Sequence, residues 1–148
     1  MVEDETALEE ASHAFLHHYY GHEIAHVAAD LGDDSYCRFA MPRTVSVDTA
    51  ARRDFAVQCV ITACVGRKHK VSYAEWIRSK DYKIAYERAL KLSGNDVYGA
   101  GLLLRWAEHC AQVILKANHN QVEKLARVLA ERGRLSGDQV KAILSNGA

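Results

Sequence analysis

Pro42 is the only proline in this chain of 148 residues. Proline removes a backbone donor and clashes with the preceding helical turn, so a chain with one of them is free to be helical almost throughout. The remaining punctuation agrees. A first helix is expected from about Glu5 to Leu31, stopped by "LGDDS". Residues 32–46 read as a short irregular or extended link containing "RFAMPRTVS". Ser46 or Asp48 then caps "TAARRDFAVQCVITACV", a helix that ends at Gly66 and is apolar nearly all round in its second half, as a buried central helix would be. Ser72 with Glu75 and Ser136 with Gln139 have capping-box spacing. Between them, helices are expected from about Asp81 to Leu92, from Asn95 to Ala117, and from Asn120 to Gly133. The fold class predicted is all-α: one compact multi-helix domain over residues 1–148.

The balance of 19 basic and 19 acidic residues gives no reason to expect a nucleic-acid or anionic-membrane partner. No apolar run approaches the ~18 residues that span a bilayer. The acidic start "MVEDETALEE" has the wrong sign for a targeting segment, so a cytoplasmic protein is expected. Cys37, Cys59, Cys64 and Cys110 lack CxxC spacing and read as reduced, mostly buried thiols.

The chemistry concentrates in "HHYYGHEIAHVAAD", residues 17–30. On a helix, His22 and His26 are one turn apart and aim two imidazoles at one point. Zinc accepts neutral imidazole, and a catalytic zinc keeps a position for water. Glu23, one residue past the first histidine, would sit beside the metal and take a proton from that water. Eight histidines and ten glutamates give HExxH by chance in roughly 3% of shuffled chains, so the motif needs a third ligand before it means a site. Asp30 is excluded, because eight residues of straight helix span ~12 Å. No Glu lies between Glu23 and Glu75, which leaves Asp81 and Asp96, each near a predicted helix start.

Three segments carry a resemblance to the peptidase domain of the FtsH-type ATP-dependent zinc metalloproteases. "HEIAHVAA" resembles the family's HEAGHAxx helix. "SKDYKIAYERAL" is similar to its SNDxxxATxxA helix, with Asp81, Ala85 and Ala89 in register. "AQVILKANHNQVEKLARVLAERGRLSGDQVKAIL" looks like its closing helices. The resemblance implies a stand-alone metallopeptidase-like domain that cleaves peptides or unfolded protein. It implies Zn²⁺ held by His22, His26 and Asp81, with Glu23 as general base, and favours Asp81 over Asp96, whose +8 residue is Leu104. Further copies of the chain or a separate ATPase are the protein partners it suggests. Residues 36–47 would offer a backbone edge to an extended peptide.

The departures are specific. The family's GGRAAE stretch appears as "CVGRKHK", without its glutamate, and neither an ATPase module nor a membrane helix is found. A catalytically silent metal-binding or interaction module is therefore the alternative expectation. Within "GRKHK", the basic cluster reads as a solvated helix end.

Overall fold

The computed structural model describes residues 4–40, 46–65 and 72–145. The elements run α1 (Asp4–Tyr19), β1 (Ile24–Ala28), a 3₁₀ turn (Gly32–Asp34), β2 (Tyr36–Phe39), α2 (Ala50–Ala63) and α3 (Tyr73–Arg78). They continue as α4 (Lys80–Leu92), α5 (Val97–Ala117), α6 (His119–Arg132), β3 (Arg134–Ser136) and α7 (Gly137–Ser145). Helix dominates, as expected. The chain is not purely α-helical, however: the three strands form one antiparallel sheet in the order β2-β1-β3. No helix among the described residues is long and apolar enough to cross a membrane. The "GRKHK" cluster and most of "CVGRKHK" lie outside the described residues.

Two compact units divide the chain. One comprises residues 1–40 and 114–148, the other residues 41–113.

In the first unit, α1 packs against α6. Ala7, Ala11 and Ala14 on α1 are buried, as are Val122, Leu125 and Leu129 on α6. The spacing of each set is one helical stripe, and the small residues of α1 leave room for the branched ones of α6. The sheet adds buried Val27 and Leu135, which are paired across β1 and β3. Gly133, at φ +79°, ends α6 as expected and turns the chain into β3. The Ser136 box is complete: Ser136 N donates to Gln139 Oε1 at 2.8 Å, and Gln139 N donates to Ser136 Oγ at 3.1 Å. The opening of α6 differs from expectation. It begins at His119 after Asn118, whose side chain makes no cap bond.

In the second unit, α2 packs against α4, and α3 against α4. Five consecutive α2 residues, Cys59 to Ala63, are buried, as expected of a second half apolar nearly all round. Its cap is Thr49, which accepts from Arg52 N at 3.2 Å; Ser46 and Asp48 instead bond each other one turn earlier. Arg53 Nη2 donates to the Leu92 carbonyl at 3.1 Å, placing a cation on the last turn of α4. Trp76, fully buried on α3, donates through Nε1 to Glu108 Oε1 at 2.8 Å.

Candidate metal centre

The first helix stops twelve residues short of its expected end, and the stop has a local cause. Gly21 N donates to the His18 carbonyl at 3.0 Å and His22 N to the His17 carbonyl at 2.8 Å. These are the two bonds of a Schellman cap, with Gly21 in the left-handed position at φ +76°. A side chain there would be strained, so Gly21 acts as a helix terminator.

The HEIAH segment consequently begins outside the helix. His26 lies on β1, and His22 and Glu23 precede that strand. This corrects the expected two-turn helical grip. Four residues of extended chain cover about 13 Å, against about 6 Å along a helix. The two rings also meet opposite ends of β2. His22 stacks toward Phe39, with centroids 5.6 Å apart. His26 meets Tyr36 edge-on at 5.2 Å, with Nε2 3.3 Å from the Tyr36 hydroxyl. A bulge at the start of β1 puts Ile24 opposite Phe39 and His26 opposite Arg38, leaving Ala25 as the extra residue. Among the described residues, neither histidine belongs to a cluster of three metal donors. Glu23 is exposed, and its carbonyl accepts from Ala40 N at 2.7 Å, a structural contact beside β2.

His22 has a different task. Its Nδ1 is 2.9 Å from Nδ1 of His17, so one ring donates and the other accepts. His17 is 3% exposed and stacks on Phe39 at 3.8 Å. The histidine pair and Phe39 tie the C-terminal end of α1 to the hairpin.

What the structure assembles on α1 is Glu9-Glu10-Ala11-Ser12-His13. A carboxylate oxygen of Glu9 and a ring nitrogen of His13 lie within 4.8 Å of one another, on consecutive turns of one face. His13 is 9% exposed and Glu10 8%. Glu10 stands one residue past the first donor, the offset that the general base occupies in an HExxH helix. It faces β2: burial pushes the Cys37 thiol up, and the Glu10 carboxylate adds to that shift. Ser12 turns away and donates to the Leu8 carbonyl at 2.7 Å.

This set escaped a search for HExxH because its first residue is Glu. A signal was nevertheless present. "EEASHA" matches the HEAGHA pattern at Glu10, Ala11, His13 and Ala14, and it precedes a Gly-terminated helix end rather than following one.

Asp81 and Asp96 are the aspartates expected as the remaining ligand. Asp96 is occupied as a cap: its Oδ2 accepts from Gly99 N at 3.0 Å and opens α5. Asp81 lies in the first turn of α4, where the cap is Ser79, accepting from Tyr82 N at 3.1 Å. Its carboxylate is therefore not needed to start the helix. Asp30, excluded on length, pairs with Arg134 through Nε at 3.0 Å.

Compared with known proteins, the chain matches no family model and no curated protein.

Proposed function

We propose that the chain is a metallopeptidase-like hydrolase whose metal is held by Glu9 and His13 of α1, with Glu10 as general base. The observation that carries this reading is the donor pair of Glu9 and His13 on adjacent turns of α1, with Glu10 buried beside them. The donors fit a transition metal. Bonds near 2.1 Å place two ligands of a tetrahedral ion about 3.4 Å apart, within a small side-chain adjustment of the spacing here.

A bound zinc ion would supply Lewis-acid polarisation of a carbonyl and acidify the attacking water. The chain's own groups do the rest. Glu10 takes the proton from the water and returns it to the leaving amine. β2 is an outer strand that, among the described residues, pairs with β1 alone. A peptide added as a further strand along β2 would extend the sheet at that edge.

A second reading rests on Glu9 itself. Carboxylate in place of imidazole weakens the preference for zinc and suits harder ions such as Mn²⁺. A metal-binding module without peptidase activity follows if that exchange removes the catalytic ion. Metal content of the purified protein, followed by casein cleavage with zinc or manganese added, separates the two. The hydrolase reading expects about one ion per chain, cleavage lost in Glu10→Gln, and metal retained in that variant. Full metal occupancy without cleavage under either ion establishes the second reading.

A further inference from the structure

A cleft of about 420 Å³ opens in the second unit between α5 and the helices α3 and α4, a volume that suits a small molecule. Gly101, Leu104, Arg105 and Glu108 form one wall, at the spacing of a single helical face, and Tyr73 and Tyr82 form the other. Apart from proline, glycine is the least favourable residue inside a helix. Gly99 has a packing reason, since a Cβ there would press on Asp96 Oδ2 at 3.0 Å. Gly101 has none: a Cβ built there meets nothing within 4 Å, and its φ is not positive. Helix stability is given up at Gly101, and the room left by the missing side chain belongs to the cleft.

The cleft holds one charged group of each sign. Glu108 Oε1 accepts from Trp76 Nε1 at 2.8 Å, which fixes the carboxylate and leaves Oε2 as an acceptor. Arg105 Nε donates to the Gly101 carbonyl at 3.5 Å, and the terminal N–H groups of the guanidinium remain as donors. Three residues apart on one helix, the two groups lie on adjacent turns. The Tyr82 ring is held by Trp76, edge-on at 5.5 Å, and by Tyr86, stacked at 5.9 Å. Burial, with Tyr73, Tyr86 and Glu108 nearby, pushes the Tyr82 hydroxyl up, so it stays neutral.

We infer that this cleft binds a small zwitterion, an α-amino acid with an aromatic side chain, whose ammonium group meets Glu108 and whose carboxylate meets Arg105. In an α-amino acid both charges hang from one carbon, so a single ligand reaches two groups on adjacent helical turns. A simple amine would meet Glu108 but bring its charge beside Arg105, and a simple carboxylate would do the reverse; the zwitterion answers both. Its side chain would occupy the space left at Gly101, over Leu104 and against Tyr73 and Tyr82, where ring pairing adds to apolar burial. The cleft shares no residue with the Glu9 and His13 donor pair.

The test titrates the full chain with L-phenylalanine, phenethylamine or hydrocinnamate and follows the Trp76 indole N–H resonance by NMR, identified by its loss in Trp76→Phe. L-Phenylalanine is expected to shift it saturably, binding at least about tenfold tighter than either singly charged analogue. Glu108→Gln keeps an acceptor for Trp76 and removes the charge, and Arg105→Gln removes the guanidinium. Each should weaken L-phenylalanine binding by about tenfold or more. Gly101→Leu should abolish binding and at the same time raise Tm, because leucine fills the cleft and favours helix. Three results overturn the inference: no saturable shift with L-phenylalanine, equally tight binding of phenethylamine or hydrocinnamate, or L-phenylalanine affinity unchanged in Glu108→Gln and Gly101→Leu.

Discussion

Zinc should stabilise this protein through His13 and not through the histidines of HEIAH. A ligand present at 100 times its dissociation constant and bound only by the folded state adds about 2.7 kcal/mol. For a chain of 148 residues, each kcal/mol raises Tm by about 3–4 °C, so the expected rise is about 8–10 °C. Differential scanning fluorimetry with zinc, and with EDTA as the control, reads it directly. His13 is buried, so His13→Ala loses some stability without metal. The quantity to compare is therefore the zinc-induced shift and not Tm itself. That shift should vanish in His13→Ala, which lacks the donor. It should persist in Glu10→Gln, whose side chain is not a ligand, and in Asp96→Asn. Above all it should persist in His26→Ala, whose ring meets Tyr36 on the sheet. A shift that survives His13→Ala but disappears in His26→Ala would refute the assignment and restore the strand histidine as a ligand.

Glu9→His recreates an HExxH helix and should raise zinc affinity by tenfold or more, measured by competition with a chromophoric chelator; unchanged affinity would remove Glu9 from the site. A Cβ at Gly137 would overlap the Ile24 carbonyl, so Gly137→Ala should cost about 1–3 kcal/mol in urea denaturation. Burial raises the Cys59 thiol from 9.0 to about 11. Its thiolate should therefore be about one part in a hundred or less at pH 8–9, and native Cys59 should react with a disulfide reagent far more slowly than the unfolded chain. Stability should also fall as pH rises from about 9 toward 11, because the unfolded thiol ionises first. A flat profile would place Cys59 in contact with water. Trp76→Phe removes the donor to Glu108 and should cost about 1–3 kcal/mol by thermal denaturation.

Much of the helical part was legible because its signals are local. Ser72 and Ser136 cap where their spacing indicated, and Gly133 ends α6. Cys59 to Ala63 of α2, apolar except for Thr62, are buried. The candidate site was legible only in part. That Asp96 is a helix cap shows only once its carboxylate is seen with the Gly99 amide. Glu9 and His13 do not spell HExxH, because the first donor is a glutamate. HEIAH drew attention because its composition is helical, and Ala, Glu and His at that spacing would form an ordinary amphipathic turn.

The sequence by itself determined a chain dominated by helix, the caps that start several of its helices and the buried run of α2, because each depends on residues within one or two turns. The three-dimensional arrangement decided the fate of residues 22–28. Gly21 closes α1 through two backbone bonds, and the next residues find ladder partners in Tyr36–Phe39 and Arg134–Ser136, the latter more than a hundred positions away. No local propensity encodes a partner that distant. The same pairing carries His22 and His26 to the sheet and leaves the helical donors to Glu9 and His13.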